Sequence, residues 1–176
     1  MSDERITIPC LELLEDLLRR AGQDRVVTEP RLVEFGDQET LERYVVRDGA
    51  VHAWRGDRGS GDWTGVVFEA GEDAARRIAA SAAGALRSRA GLERGHWLLD
   101  RPEELPDGMS LSVESERNLL KWTACGTPHR AWFGAGRFIA PAVQFATVAR
   151  VPVADIERCA LEVNSRRAFS EAALPA

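Results

Sequence analysis

Apolar residues recur along this chain with two periods, and the switches between them mark out its elements. Leu11, Leu14, Leu17, Leu18 and Ala21 fall three and four apart, the spacing of one helix face. This N-terminal helix is expected to begin at Ile8-Pro9-Cys10, since proline suits a first helical turn. Glu12, Glu15 and Asp16 come early, Arg19 and Arg20 late, and Gly22 ends it.

From about residue 30 the period drops to two. Arg31–Phe35 and Glu39–Arg47 read as strands, and Asp48-Gly49 supplies the positive-φ pair of a tight hairpin. Tyr44, Val45 and Val46 precede it; Val51, Ala53 and Trp54 follow. Arg55–Asp62 then holds three glycines, four charges and no apolar residue, which predicts a solvated loop bracketed by Trp54 and Trp63. Trp63–Ala70 resumes as a strand, so residues 30–70 are expected to form up to four consecutive antiparallel strands.

The period returns to 3.6 after Gly71. Ala75, Ile78, Ala79, Ala82 and Leu86 share a face, while Arg76, Arg77, Arg87 and Arg89 fall mostly off it. Glu72 and Asp73 at the start and Arg87 and Arg89 at the end complement the helix dipole. Gly91 stops it. The mostly alanine face lets the helix lie close against a sheet.

Gly91–Gly108 reads as a loop-rich crossing. Met109–Glu114, Asn118–Cys125 and His129–Phe133 alternate again and predict a second meander continuing the sheet. Pro141–Ala149 predicts a short helix, and Ile156, Cys159, Ala160 and Val163 stripe another. Residues 166–176 are expected to be poorly ordered. The fold class is therefore α+β: a single domain over residues 1–165, mainly antiparallel sheet in two meanders. An N-terminal helix, a central helix and C-terminal helices pack on it.

Composition narrows the function. The chain has 176 residues with a net charge of −5, so a basic nucleic-acid-binding face is not expected, nor is an anionic membrane surface as partner. Of 23 basic residues only Lys121 is lysine, which with the alanine richness suggests a GC-rich, actinobacterial coding bias. The acidic start, with no basic–apolar leader, and the absence of a long apolar run give a cytoplasmic expectation. Cys10, Cys125 and Cys159 are far apart and are expected to be reduced, mostly buried thiols.

Catalytic patterns are absent. Cys125 and His129 are separated by Gly126, Thr127 and Pro128, with no second pair to complete a metal site. Ser60 lies between glycines without the strand-to-helix elbow of a hydrolase. Gly56-x-x-Gly59-x-Gly61 and Gly134-x-Gly136 lack the following helix of a phosphate cradle. The pairs Glu103/Glu104, Glu114/Glu116 and Glu39/Glu42 lie in polar segments. No metal, cofactor or enzymatic activity is expected. The five tryptophans point to binding instead, since tryptophan beside arginine is the composition of an interface hot spot.

Three places carry a resemblance. They are Tyr44-Val45-Val46-Arg47-x-Gly49 followed by the charged stretch and Val66-Val67-Phe68; Ala85-Leu86-Arg87-Ser88-Arg89-Ala90-Gly91-Leu92; and Phe145-Ala146 with Asp155-Ile156. Over much of residues 40–163 the chain resembles the single-domain immunity proteins encoded beside polymorphic toxins in actinobacteria, in particular the immunity-factor family of tuberculosis necrotizing toxin. The resemblance implies an inhibitor without catalytic residues. It would form a one-to-one complex with the catalytic domain of a secreted, NAD-degrading toxin, in the cytoplasm of the producing cell. No site residue carries over by position. From the loop itself, the expected partner-binding residues are Trp54, Arg55, Asp57, Arg58, Gly59, Ser60, Gly61, Asp62 and Trp63. Two alternatives stay open: a secretion chaperone or adaptor, and a small-molecule-binding or enzymatic α+β domain built around His52, His96 or His129 beside a carboxylate.

Overall fold

The computed structural model describes residues 6–57, 60–93 and 95–176. Helix α1 is Leu11–Arg20, matching its apolar stripe but starting after the expected Ile8-Pro9-Cys10. Ile8 donates its backbone N–H to the Pro30 carbonyl at 2.8 Å, so the segment before Cys10 is tied to a strand turn and the helix starts after it. Strands β1 (Arg25–Glu29), β2 (Leu32–Gly36), β3 (Thr40–Arg47), β4 (Ala50–Asp57) and β5 (Ser60–Phe68) follow as consecutive hairpins. The sequence pattern does not announce β1, because adjacent Val26 and Val27 blur its alternation. At the β3–β4 turn Asp48 and Gly49 both take positive φ, 51° and 72°, as the Asp-Gly signal requires.

Helix α2 (Gly71–Arg89) crosses the sheet, and strands β6 (Ser110–Glu114), β7 (Arg117–Ala124) and β8 (Thr127–Ala135) make the second meander. The two meanders join in one eight-stranded antiparallel sheet of order β1-β2-β3-β4-β5-β8-β7-β6. The junction is short: Val67 pairs with Trp132 and Phe68 with Ala131. Helices α3 (Ala140–Val148), α4 (Val153–Leu161) and α5 (Ser165–Ala172) complete the chain. No described helix is long and apolar enough to cross a membrane.

Alternation along the strands sends every second side chain to each face. One face joins the helices in a continuous core through residues such as Val33, Tyr44, Val51, Phe68, Leu120, Ala131 and Phe133. Its aromatic centre is Phe145 of α3, with ring centroids 5.1 Å from Phe68 and 5.6 Å from both Trp122 and Phe133. Burial pushes the Tyr44 phenol up to about 12.

Two arginines of α2 expected off its buried face are in fact buried. Arg76 and Arg87 are 2% and 4% exposed, because α2 is packed on both sides: against the sheet, and against α1 and α4. Arg76 donates to Asp73 and Glu72, both at 2.7 Å, and to the Val151 carbonyl at 2.8 Å. Arg87 donates to the carbonyls of Ala160, Glu162 and Glu93, placing a cation where the last carbonyls of α4 lack partners.

The expectation for residues 166–176 is also corrected. Most of α5 lies there, capped by Asn164 and anchored by Phe169, which is 1% exposed and packs near Trp97. After it, Leu174 N donates to Arg150 O and Cys125 N to Pro175 O, each at 2.8 Å. A single aromatic is too little local signal to announce this helix. The cysteines differ too: Cys159 is buried, and burial raises its thiol pKa, but Cys10 and Cys125 stand exposed at positive-φ positions beside helix and strand ends.

Candidate protein-binding surface

The other face of the sheet is bare of helices. Register places Leu32, Val45, His52, Val67, Trp132 and Leu119 on it in one row across the strands. Leu119 is 1% exposed yet lies outside the main core, so this face has a small apolar layer of its own. Three of the five tryptophans stand here. Trp54 and Trp63 are a directly opposed pair, the closest side-chain neighbours a hairpin offers. Trp132 lies on β8 across the meander junction.

Each of the three carries an arginine. The Arg43 guanidinium sits 4.6 Å from the Trp54 ring centroid and that of Arg47 4.5 Å from Trp63. Arg130 and Arg117 lie 5.3 Å and 5.8 Å from Trp132. Such stacking holds flexible arginines in place before a partner arrives. The arginines are further fixed. Arg43 and Arg25 both pair with Glu34, which is buried on this face; Arg130 pairs with Glu69 at 2.6 Å; and Arg117 donates to the Gly65 carbonyl at 2.7 Å. Trp63 remains 49% exposed.

His52 completes the cluster edge-on to Trp63 at 6.1 Å. Burial, then the Arg47 charge, hold its pKa below the usual 6.5.

Of the expected loop at residues 55–62, residues 55–57 and 60–62 are strand. Arg55 pairs with Asp62, Gly56 with Gly61 and Asp57 with Ser60, so the strands run on to the tip. Arg58 and Gly59 lie outside the described residues. Charged and glycine residues look solvated in sequence, but a two-stranded ribbon exposed on both sides needs no apolar alternation. The glycines have a packing reason. A Cβ at Gly56 or Gly61 would overlap the Trp54 ring, which lies flat across both. Of the nine residues expected at the interface, Trp54 and Trp63 fall in the arginine–tryptophan cluster. Gly61 lies beneath Trp54 on the same face, whereas Arg55, Asp57, Ser60 and Asp62 alternate to the other side of the ribbon, with Arg55 on the side of Tyr44. Trp132, Arg43, Arg47 and Arg117 were missed, since only strand pairing brings residues so far apart in sequence onto one face.

Two histidines do lie beside carboxylates. His129 Nδ1 is 2.9 Å from Asp73 and stacks on Trp122 with centroids 5.3 Å apart, at the edge of an open cavity of about 540 Å³. Burial pushes the Asp73 carboxyl up, against the pull of His129 and Arg76. Asp73 bonds both Arg76 and His129, so the pair works as a clamp fastening α2 to β8. His96 Nδ1 meets Asp100 at 2.6 Å with its side chain 71% exposed. Among the described residues no three His, Cys, Asp or Glu side chains converge as a metal site would require.

The fold and this face together define a class: a single α+β domain with helices on one side of an antiparallel sheet and a pre-arranged arginine–tryptophan surface on the other. No family model and no curated protein matches the chain. Among solved structures, Rv3902c from M. tuberculosis has the same fold, with a TM-score of 0.70 over 94% of this chain and 95% of that one, at 16% identity. At that identity the likeness is one of fold.

Proposed function

We propose that the protein is a cytoplasmic immunity protein. It binds the catalytic domain of a secreted, NAD-degrading toxin one to one and covers its active site with the open face of its sheet. The observation that carries this is the set of Trp54, Trp63 and Trp132, each stacked with arginine on a surface no helix covers. Tryptophan and arginine are the residues most enriched among interface hot spots, and here both are held rigid on strands, which lowers the entropy lost on binding. The resemblance of residues 40–163 to the tuberculosis toxin immunity factor supplies the partner class. The match to a fold from M. tuberculosis supports that resemblance. Arginine clustered on one face of a chain of net charge −5 fits a partner surface bearing carboxylates.

The test is co-expression with the neighbouring open reading frame and measurement of cellular NAD. The reading expects a stable one-to-one complex and preserved NAD. It also expects loss of both with Trp63→Ala combined with Trp132→Ala. A neighbour without toxicity, or one that keeps its activity inside the complex, overturns the reading in favour of a secretion chaperone. Inhibition that survives the double variant moves the interface elsewhere on the protein.

A further inference from the structure

The arginines stacked on the three open-face tryptophans differ in what neutralises them. Arg43 shares Glu34 with Arg25, Arg47 meets Asp48 at 3.3 Å, and Arg130 meets Glu69 at 2.6 Å. Arg117 pairs with no carboxylate among the described residues. It is nonetheless partly buried, and that burial pulls its pKa below the usual arginine value. Burying an unpaired charge opposes folding, so a cation held this way calls for a use outside the fold.

Its placement indicates the use. Arg117 starts on β7 and its guanidinium reaches β5, two strands away in the order β5-β8-β7. There Nη2 donates to the Gly65 carbonyl at 2.7 Å. A Cβ at Gly65 would lie 3.0 Å from the Gly134 Cα, so glycine meets glycine at this crossing and neither puts a side chain over the guanidinium. The Trp132 ring flanks it at 5.8 Å, and Trp63 stands two residues from Gly65 along β5. Nε is buried and has nothing to offer a ligand. Nη1 also bonds to nothing among the described residues, but it is not buried. An unpaired cation on the open face thus keeps one accessible nitrogen. Positive charge gathers around it: after burial itself, the nearby charges of Arg47 and Arg117 lower the His52 pKa.

We propose that Arg117 receives a carboxylate side chain of the bound partner, an aspartate or glutamate seated against Nη1 with Trp132 beside it. This rests on the reading of the open face as the toxin-binding surface and names where on that face the partner's charge is met. A carboxylate supplies an acceptor and the countercharge together, and such charge-assisted bonds are stronger than neutral ones. A backbone carbonyl would supply only the acceptor. A phosphate group, with nearly two charges, would call for a second unpaired cation, and Arg43, Arg47 and Arg130 are already paired with Glu34, Asp48 and Glu69.

The test titrates the full chain calorimetrically with the catalytic domain encoded by the neighbouring open reading frame. Arg117→Met should weaken binding about hundredfold, about 2.8 kcal/mol at 1.4 per tenfold. It should leave the melting temperature of the free chain unchanged or higher, since it removes an unpaired, partly desolvated charge. Each surface Asp and Glu of the toxin domain is then changed to Arg and titrated against Arg117→Glu. One of these swaps should recover about tenfold or more of the affinity lost. A lower melting temperature with unchanged affinity overturns the proposal and makes Arg117 a brace of the short β5–β8 junction. A set of swaps that restores nothing at any position overturns it too. If Arg117→Met does not fold, Arg117→Gln, which keeps an N–H donor without the charge, replaces it with the same expected loss of affinity. A wild-type chain that does not bind the domain overturns the functional reading and the proposal with it. Wild-type binding that survives removal of the Arg117 charge overturns the proposal alone.

Discussion

The two faces of the sheet use aromatic residues in opposite ways. On the helical face Phe68, Phe133, Phe145 and Trp122 touch one another, and their contribution is burial of apolar area. On the open face Trp54, Trp63 and Trp132 touch arginines and keep part of their surface in water. The same strands carry both sets: Phe68 and Trp63 lie on β5, Phe133 and Trp132 are neighbours on β8. Aromatic content alone therefore says little about role. What a ring touches decides whether its removal unfolds the protein or disarms it.

That contrast is sharpest at Phe145. Phe145→Ala leaves a cavity at the meeting point of three rings and should cost about 3–5 kcal/mol of stability, read from urea denaturation. Partner affinity, measured on the folded fraction, should barely change. Trp63→Ala should do the reverse. Affinity for the toxin domain should fall by about 2–4 kcal/mol in a titration, with the unfolding midpoint nearly unmoved because Trp63 is half exposed. A Trp63 variant that unfolds the chain, or a Phe145 variant that selectively loses binding, breaks the distinction between the faces.

Gly61→Ala probes the border between them. Its new methyl group would displace the Trp54 ring, costing about 1–3 kcal/mol of overpacking strain. Loss of the signature of the Trp54 stack in near-ultraviolet circular dichroism should accompany weaker binding. An unaltered spectrum would show that the ring has room to spare.

The smallest effect expected is a pH dependence at His52. Its folded pKa lies below 6.5, so the native state binds fewer protons than the unfolded chain. Its contribution is present above pH 6.5 and is lost as pH falls through the lowered folded value. His52→Gln should flatten that slope in thermal melts between mildly acidic and neutral pH. An identical slope in the variant would mean that other groups set it.

Local pattern made much of the fold legible. Asp48-Gly49 suits a tight turn, and the alanine stripe of α2 lets it lie close against its neighbours. The alternation at Met109–Glu114 and Asn118–Cys125 announced the second meander. The candidate surface was half legible. Trp54 and Trp63 stood out because they bracket a charged stretch, but that stretch was read as a loop since its residues carry no apolar period. β1 and α5 were hidden for the opposite reason: both are short, and their few apolar residues acquire meaning only from Phe35 and Trp97, which they meet in space.

The sequence by itself determined the periods of the elements, the tight turn between β3 and β4, and the absence of familiar catalytic spacing, because these depend on neighbours a few residues apart. Only the tertiary structure decided which side of each strand is covered. It also decided that β5 pairs with β8, so that Trp132 joins Trp63 on one face, and that Arg76, Arg87 and Arg150 go inside. Alternation assigns side chains to two faces without saying which face meets helices. That choice belongs to contacts between residues distant in the chain, and it leaves Trp54, Trp63 and Trp132 with their arginines on the face no helix covers.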